Sequence, residues 1–146
     1  MYAFPKNFAG PTIDRHQLRL RLDKHIESRM ALTEALFELE RWRPLQRTSV
    51  REIIADLSAV LEHLENEENE IYPQIVRRPE QMAAILSDHT EIRKAYTDLA
   101  AAVNVDPNSS EQLAAFFSCR DHFTALLRSN FEKEDLLIFA ELAANN

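Results

Sequence analysis

Apolar residues recur at three- and four-residue steps along four stretches of the chain, which is the spacing of one face of an α-helix. The first stretch predicts a helix from about Asp14 to Arg41. Its inward positions are Leu18, Leu22, His25, Leu32 and Leu36. One of these positions carries an imidazole instead of an apolar side chain.

A second helix is predicted to start at Ser49, because Ser49 and Glu52 have the spacing of a capping box. In this motif the serine bonds the third amide of the helix and the glutamate reaches back. Pro73 should bend or stop the helix, since proline cannot donate the helical hydrogen bond. The inward stripe consists of Ile53, Leu57, Val60, Leu61, Leu64, Glu67 and Ile71. A carboxylate therefore interrupts an apolar stripe.

The third and fourth helices are predicted on either side of a polar turn over residues 104–110. Pro79 suits the first residue of the third helix, and Ser109 with Gln112 predicts a capping box before a long fourth helix. The third seam is Met82, Ile85, Leu86, His89, Ile92, Tyr96, Leu99 and Val103. The fourth inner face is Leu113, Phe116, Phe117, Phe123, Leu127, Asn130, Glu134 and Leu137.

Four amphipathic helices with short connections predict an all-α, up-down-up-down four-helix bundle. The length of 146 residues suits one domain over residues 1–146, in which residues 1–13 form an irregular lead-in. One glycine and six prolines leave little turn chemistry for a many-stranded sheet. The lead-in carries Tyr2, Phe4 and Phe8, which we expect either to cover the bundle or to meet a partner chain, so a homo-oligomer stays open.

Charge and hydropathy exclude some classes of partner. A net charge of −7 disfavours nucleic-acid binding, which needs a concentrated basic face. No apolar run approaches the ~20 residues of a membrane span, and the N-terminus lacks the apolar core of a signal peptide, so we expect a soluble protein with no membrane partner. Cys119 is the only cysteine, which excludes an internal disulfide and favours the cytoplasm.

Candidate metal ligands fall on the inner face of every predicted helix. They are His25, His63, Glu67, His89 and Glu134. The four-residue spacing of His63 and Glu67 places both side chains on one helix face, although a single pair of this kind is more often a surface pair. Buried charges need partners or a metal, so several polar groups in one layer of a bundle predict a metal site.

This ordered set resembles the hemerythrin-like, His-His-Glu cation-binding family over about residues 14–142. His25 is similar to the helix-one histidine of that family, and residues 63–73, HLENEENEIYP, resemble its helix-two signature. His89 is placed like the single histidine of helix three. On helix four Glu134 matches the family pattern, but Asn130 stands where a histidine is expected.

The resemblance implies a hemerythrin-like bundle that binds non-haem iron as one or two ions, with zinc or another divalent metal as an alternative. Glu67 and Glu134 would bridge two positions, one holding His25 and His63 and the other keeping only His89 of its histidines. An amide oxygen is a poorer transition-metal ligand than imidazole, so we expect the second position to be weak or empty.

The activities implied by the resemblance are the binding or sensing of a small diatomic ligand such as O2 or NO, and the holding of iron. No substrate pocket or general base with a partner is marked in the sequence, so catalysis is left open and is not predicted.

Arg93 lies one turn after His89, where the oxygen-carrying branch of the family has another histidine. Two orientations stay open: an inward guanidinium that opposes a second cation and pairs with Glu67 or Glu134, or a solvated side chain. The inward orientation supports an alternative function without metal. In that alternative Asn130 and Arg93 complete a hydrogen-bonded core, and the bundle serves as an interaction or oligomerisation module.

The remaining polar residues are weaker candidates. Glu68 is expected to be solvated or paired with a basic neighbour, and His16 lies on the outer face of helix one. Cys119 and His122 have an i, i+3 spacing that metal sites use, but one pair offers only two ligands. A histidine phosphotransfer bundle would need an exposed histidine such as His16, and the small-residue setting of such domains is absent.

Overall fold

A computed structural model describes residues 15–44 and 49–144 of the protein, with side chains described as far as residue 141. Its helical elements are α1 Arg15–Arg41, α2 Val50–Leu57, α3 Ala59–Asn66, a π-helical turn Glu67–Ile71, α4 Tyr72–Ile75, α5 Pro79–Ala101 and α6 Ser110–Ala144. The elements from α2 to α4 follow one another along the chain as one rod, so four rods form the bundle. The predicted all-α, up-down-up-down fold is confirmed.

Two predictions concern residues outside this range: the helix start at Asp14 and the irregular lead-in over residues 1–13. Within the described part of the chain, no helix is both long and apolar enough to cross a lipid bilayer.

The predicted helix starts at Ser49 and Ser109 are confirmed, but the capping bonds differ from a complete capping box. Ser49 Oγ accepts a hydrogen bond from the Arg51 amide at 3.2 Å, one residue earlier than the motif requires. Ser109 Oγ accepts from the Gln112 amide at 3.2 Å, as expected. The side chain of Gln112 does not return this bond and instead accepts from the Asp106 amide at 2.9 Å.

The second rod continues past Pro73 as far as Ile75. Proline donates no amide hydrogen bond and its ring crowds the carbonyl four residues back, and the turn before it is the wider, π-helical one. There the Tyr72 amide donates to the Glu67 carbonyl, five residues back. Glu67 and Glu68, the first two residues of this turn, are both buried.

A layer of polar side chains divides the hydrophobic core into two halves. The larger half packs the end of α1 and the start of α6 against α2, α3 and the later part of α5. The smaller half contains Leu18, Leu22, Ile71, Tyr72, Ile75, Val76, Met82, Leu86 and Ile138. Between the halves lie the buried residues His25, His63, Glu67, His89, Asn130 and Glu134. The inward placement predicted for these six residues is confirmed.

The prediction that Leu61 points inward is wrong, since its side chain is 40% exposed. Val60 and Leu64 fill the seam at this level, and both are completely buried. Leu61 lies at the edge of that stripe, where the helix surface turns towards solvent.

The larger core half should dominate stability. Replacing the fully buried Leu36 by alanine is expected to lower the free energy of unfolding of the metal-free protein by about 2–5 kcal/mol, because the side chain leaves a cavity in packed surroundings. Urea unfolding followed by circular dichroism measures this change. Leu20→Ala is the matched control on the same helix, at a position that is 53% exposed, and it should cost less than about 0.5 kcal/mol. Equal losses for both variants would contradict the assigned core.

Candidate metal centre

Four side chains from three of the rods bring one ligand atom each to a common point. His25, His63, Glu67 and Glu134 are all buried, and one nitrogen or carboxylate oxygen of each lies within 4.8 Å of the others. Elements α1, α3, the π-helical turn and α6 contribute these residues. The convergence predicted from the inner helix faces is therefore present for these four side chains.

Glu67 occupies the middle of the polar layer and presents its two oxygens to opposite sides. Its Oε1 accepts a hydrogen bond from His25 Nε2 at 3.0 Å and lies 2.9 Å from His63 Nε2. Its Oε2 lies 3.0 Å from Nε2 of His89 on α5. Glu134 faces the first side, where Oε1 contacts His25 Nε2 and Oε2 lies 3.6 Å from His63 Nε2.

Several buried atoms of this layer form no hydrogen bonds. They are His63 Nε2, Glu67 Oε2, His89 Nε2, Asn130 Nδ2, Glu134 Oε1 and Glu134 Oε2. The histidine and carboxylate atoms among them lie at short ion-pair distances. Buried polar atoms without partners are rare because each costs the free energy of its lost hydration. Nitrogen and oxygen lone pairs directed at one place fit a cation, so the residues present suit a metal.

Ser28 orients one of the histidines and was missed by the sequence analysis. Its Oγ lies 3.0 Å from His63 Nδ1 and forms a hydrogen bond on that side of the ring, which fixes the ring orientation and leaves Nε2 facing the centre. The rings of His25 and His63 stack with centroids 3.9 Å apart and planes inclined by 17°. Ser28 lies three residues after His25 on the same helix, and that spacing is the signal that the sequence contained.

Glu68, His89 and Arg93 form one hydrogen-bonded cluster, which decides between the alternatives expected for Glu68 and Arg93. Glu68 is paired with basic neighbours and is only 6% exposed, so the solvated alternative is wrong. Its Oε2 lies 2.8 Å from His89 Nδ1, and Arg93 donates to both of its oxygens at 2.7 and 2.8 Å. The carboxylate partner of Arg93 is thus Glu68, and the expected pairing with Glu67 or Glu134 is corrected.

The buried charges shift the ionisation of the layer. Burial alone would lower the pKa of His25, but the short contacts with the negatively charged Glu134 and Glu67 outweigh it and raise that pKa to about 9. The pKa of His63 is raised against the same effect of burial by the same two carboxylates. For Glu67, burial would raise the pKa, yet the short contacts with His25, His63 and His89 hold it well below its usual range. In the metal-free protein, protons therefore occupy the place that suits a cation.

The other predicted residues separate into lining and surface positions. Asn130 is 5% exposed and lies one helical turn before Glu134, on the same face of α6. His16 and His122 are both exposed. The outer position predicted for His16 is confirmed, and His122 is not among the converging side chains. Cys119 packs against the larger core half.

A family model described as the hemerythrin HHE cation binding domain matches residues 17–142, which is most of the chain. Neither a curated protein nor a solved structure matches the chain significantly. The match is to a cation-binding domain, in agreement with the His/Glu cluster at the centre.

Metal uptake should displace protons from this layer. Since the pKa of His25 is raised to about 9, it stabilises the metal-free fold fully below pH 6.5, and this contribution is lost as the pH rises through about 9. Over the same window the affinity for Zn(II) should rise about tenfold per pH unit for each proton released. Calorimetric titration from pH 6.5 to 8.5 in buffers of different ionisation enthalpy counts these protons. Binding without proton release would contradict the charge state assigned to His25.

Proposed function

The chain belongs to the hemerythrin HHE cation-binding domain family, and on that premise we propose that it is a cytoplasmic non-haem iron protein. Its two metal positions are unequal, and it binds or senses a small diatomic molecule such as O2 or NO, or holds iron. The observation that carries this proposal is the set of buried histidine and carboxylate atoms without hydrogen bonds that converge in one layer. The comparisons support cation binding; the metal and its ligand are our inference.

Iron is favoured by the donor set of the first position. His25, His63 and a carboxylate oxygen of Glu67 provide two imidazoles and one carboxylate, a set typical of non-haem Fe(II) sites that keep open positions. Glu134 supplies a further oxygen on the same side. Bound iron would supply a redox-active Lewis acid that accepts a small ligand at an open position. The chain itself orients the imidazoles through Ser28 and the two carboxylates.

The second position is weaker because one imidazole is missing. His89 Nε2 and Glu67 Oε2 face each other at 3.0 Å, and they are the two strong donors on that side. Asn130 would offer a neutral amide, whose oxygen binds iron, zinc or copper less well than an imidazole nitrogen. The two positions therefore differ in affinity, and the first should fill before the second.

Aromatic side chains and a cavity suit a small apolar ligand. The ring of Phe131 lies 6.0 Å from that of His63, and the ring of Tyr72 lies 6.0 Å from that of His89, so aromatic side chains pack against both histidines. A cavity of about 470 Å³ between α1 and α6 reaches Glu134. It is lined by Ile26, Arg29, Met30, Thr33, Glu34, Glu134, Asp135, Ile138 and Phe139. This mostly apolar cavity is a route from solvent towards the centre.

One observation favours the alternative of a metal-free bundle acting as an interaction or oligomerisation module. The raised pKa values of His25, His63 and His89 mean that protonated imidazoles can balance the buried carboxylates. A layer balanced in this way folds without a cation. The stacking of His25 on His63 opposes it, because two positive rings would then lie 3.9 Å apart. Metal analysis separates the two functions.

Anaerobically iron-loaded, desalted protein should retain about one iron per chain, because the first position holds the fuller donor set. His63→Ala and Glu134→Ala should each abolish retention, since each removes a donor from that position. His122→Ala is the matched control at an exposed histidine and should retain as much iron as the wild type. Elemental analysis and circular dichroism together measure iron content and folding.

The reduced iron form should also change its visible absorption when NO is added, and this change should be absent in His63→Ala. No retained iron in folded wild-type protein would support the metal-free module instead.

Asn130→His should raise the metal content towards two ions per chain, because it restores an imidazole one turn before Glu134. Co(II) titration of the metal-free protein under anaerobic conditions counts the ions. Asn108→His, in the exposed turn before α6, is the matched control and should leave the ratio unchanged. An unchanged ratio in Asn130→His would contradict the view that the missing imidazole limits the second position.

A further inference from the structure

Glu68 is a buried carboxylate with three nitrogen atoms as hydrogen-bond partners, all from two residues of α5. Arg93 approaches it with two parallel hydrogen bonds, from Nη1 to Oε2 and from Nη2 to Oε1. The third partner is His89 Nδ1, at 2.8 Å from Oε2. His89 and Arg93 are four residues apart, so one face of α5 holds both ends of the Glu68 carboxylate.

This arrangement fixes which nitrogen of His89 carries a proton when the other binds an ion. A carboxylate accepts hydrogen bonds and does not donate them, so the proton on the Glu68 side must reside on Nδ1. Nε2 then presents its lone pair to Glu67 Oε2, which is 3.0 Å away. A hydrogen bond from the far nitrogen to a carboxylate also makes an imidazole a stronger donor to a metal.

Arg93 keeps Glu68 in this role. Two parallel hydrogen bonds from a guanidinium fix the plane of a carboxylate, and the positive charge of Arg93 balances the negative charge of Glu68. Glu68 is only 6% exposed and faces the guanidinium of Arg93 with both oxygens, so its place in the structure is that of a hydrogen-bond acceptor. Without this pair, Glu68 would be an uncompensated charge beside Glu67.

We propose that Glu68 and Arg93 form a positioning relay that holds His89 in its Nδ1-protonated form and thereby maintains the metal position that lacks an imidazole at residue 130. The proposal rests on the proposed function and extends it, since it assigns two residues outside the ligand set to the control of one position. The relay reaches the surface, because the side chain of Arg93 is 35% exposed.

The relay predicts that the two metal positions respond differently to its removal. Co(II) titration of metal-free protein, followed by absorption up to concentrations that fill the weaker position, gives an affinity for each ion. His89→Ala identifies the ion that uses His89, and the absence of any such ion overturns the relay. Glu68→Ala and Arg93→Met should lower the affinity for that ion by about 10- to 100-fold. The affinity for the ion at His25 and His63 should change by less than about twofold. Glu68→Gln and Arg93→Lys, which keep an acceptor and a charge respectively, should restore part of the affinity.

A matched control separates the relay from a merely structural ion pair. Arg128 pairs with Glu40 between α6 and α1; its side chain is 41% exposed, close to the 35% of Arg93, and Glu40 contacts none of the converging side chains in the structure. Arg128→Met should leave both cobalt affinities unchanged, whatever its effect on thermal unfolding. Nitrogen-15 NMR of the Zn(II)-bound protein should show the His89 proton on Nδ1 in the wild type. That signal should weaken or exchange faster in Arg93→Met.

The possible outcomes test the two proposals separately. Cobalt that binds the wild type but responds neither to Glu68 nor to Arg93 substitution overturns the relay and leaves the proposed function standing. An equal loss of both ions in every variant, including Arg128→Met, also overturns it. No cobalt bound by folded wild-type protein overturns the proposed function, and the relay proposal with it.

Discussion

The bundle depends on keeping a layer of histidines and carboxylates satisfied away from water. An ionised carboxylate without partners is too costly to bury, so each rod must supply a complementary group at the same level. Glu67 receives such groups from three helices at once: His25 on α1, His63 on α3 and His89 on α5. The register of the four rods, and the division of the core into two halves, follow from bringing these groups to one level.

Helical periodicity was sufficient to predict the fold and the inward direction of the main polar residues. His25, Glu67 and Glu134 each stand at a position where the repeat requires an apolar side chain, and burial of all three agrees with that pattern. Periodicity did not decide the surroundings of Glu68. A regular helix rotates it by about 100° from Glu67, so the spacing left it either solvated or paired with a basic neighbour. The structure buries it against His89 and Arg93 of α5, in a π-helical turn whose place sequence spacing does not predict.

The two sides of the layer are supported by different chemistry. His63 is oriented by the hydroxyl of Ser28, a neutral group, whereas His89 is oriented by the ionised carboxylate of Glu68. A charged acceptor increases the donor strength of an imidazole more than a hydroxyl does. His89 is therefore the more strongly polarised of these two imidazoles, and the two sides of the layer differ in the chemistry that supports them.

The division of the core also has a kinetic consequence. The smaller half joins the start of α1, the end of the second rod, the start of α5 and the far part of α6, and it buries fewer apolar side chains than the half beyond the polar layer. Regions with less buried apolar surface open more often than the rest of a protein. We therefore expect this half to open first and to uncover the polar layer while the larger half stays folded. A cation that binds only the closed layer would resist that opening, so the lifetime of a partly unfolded state would contribute to the rate of its release.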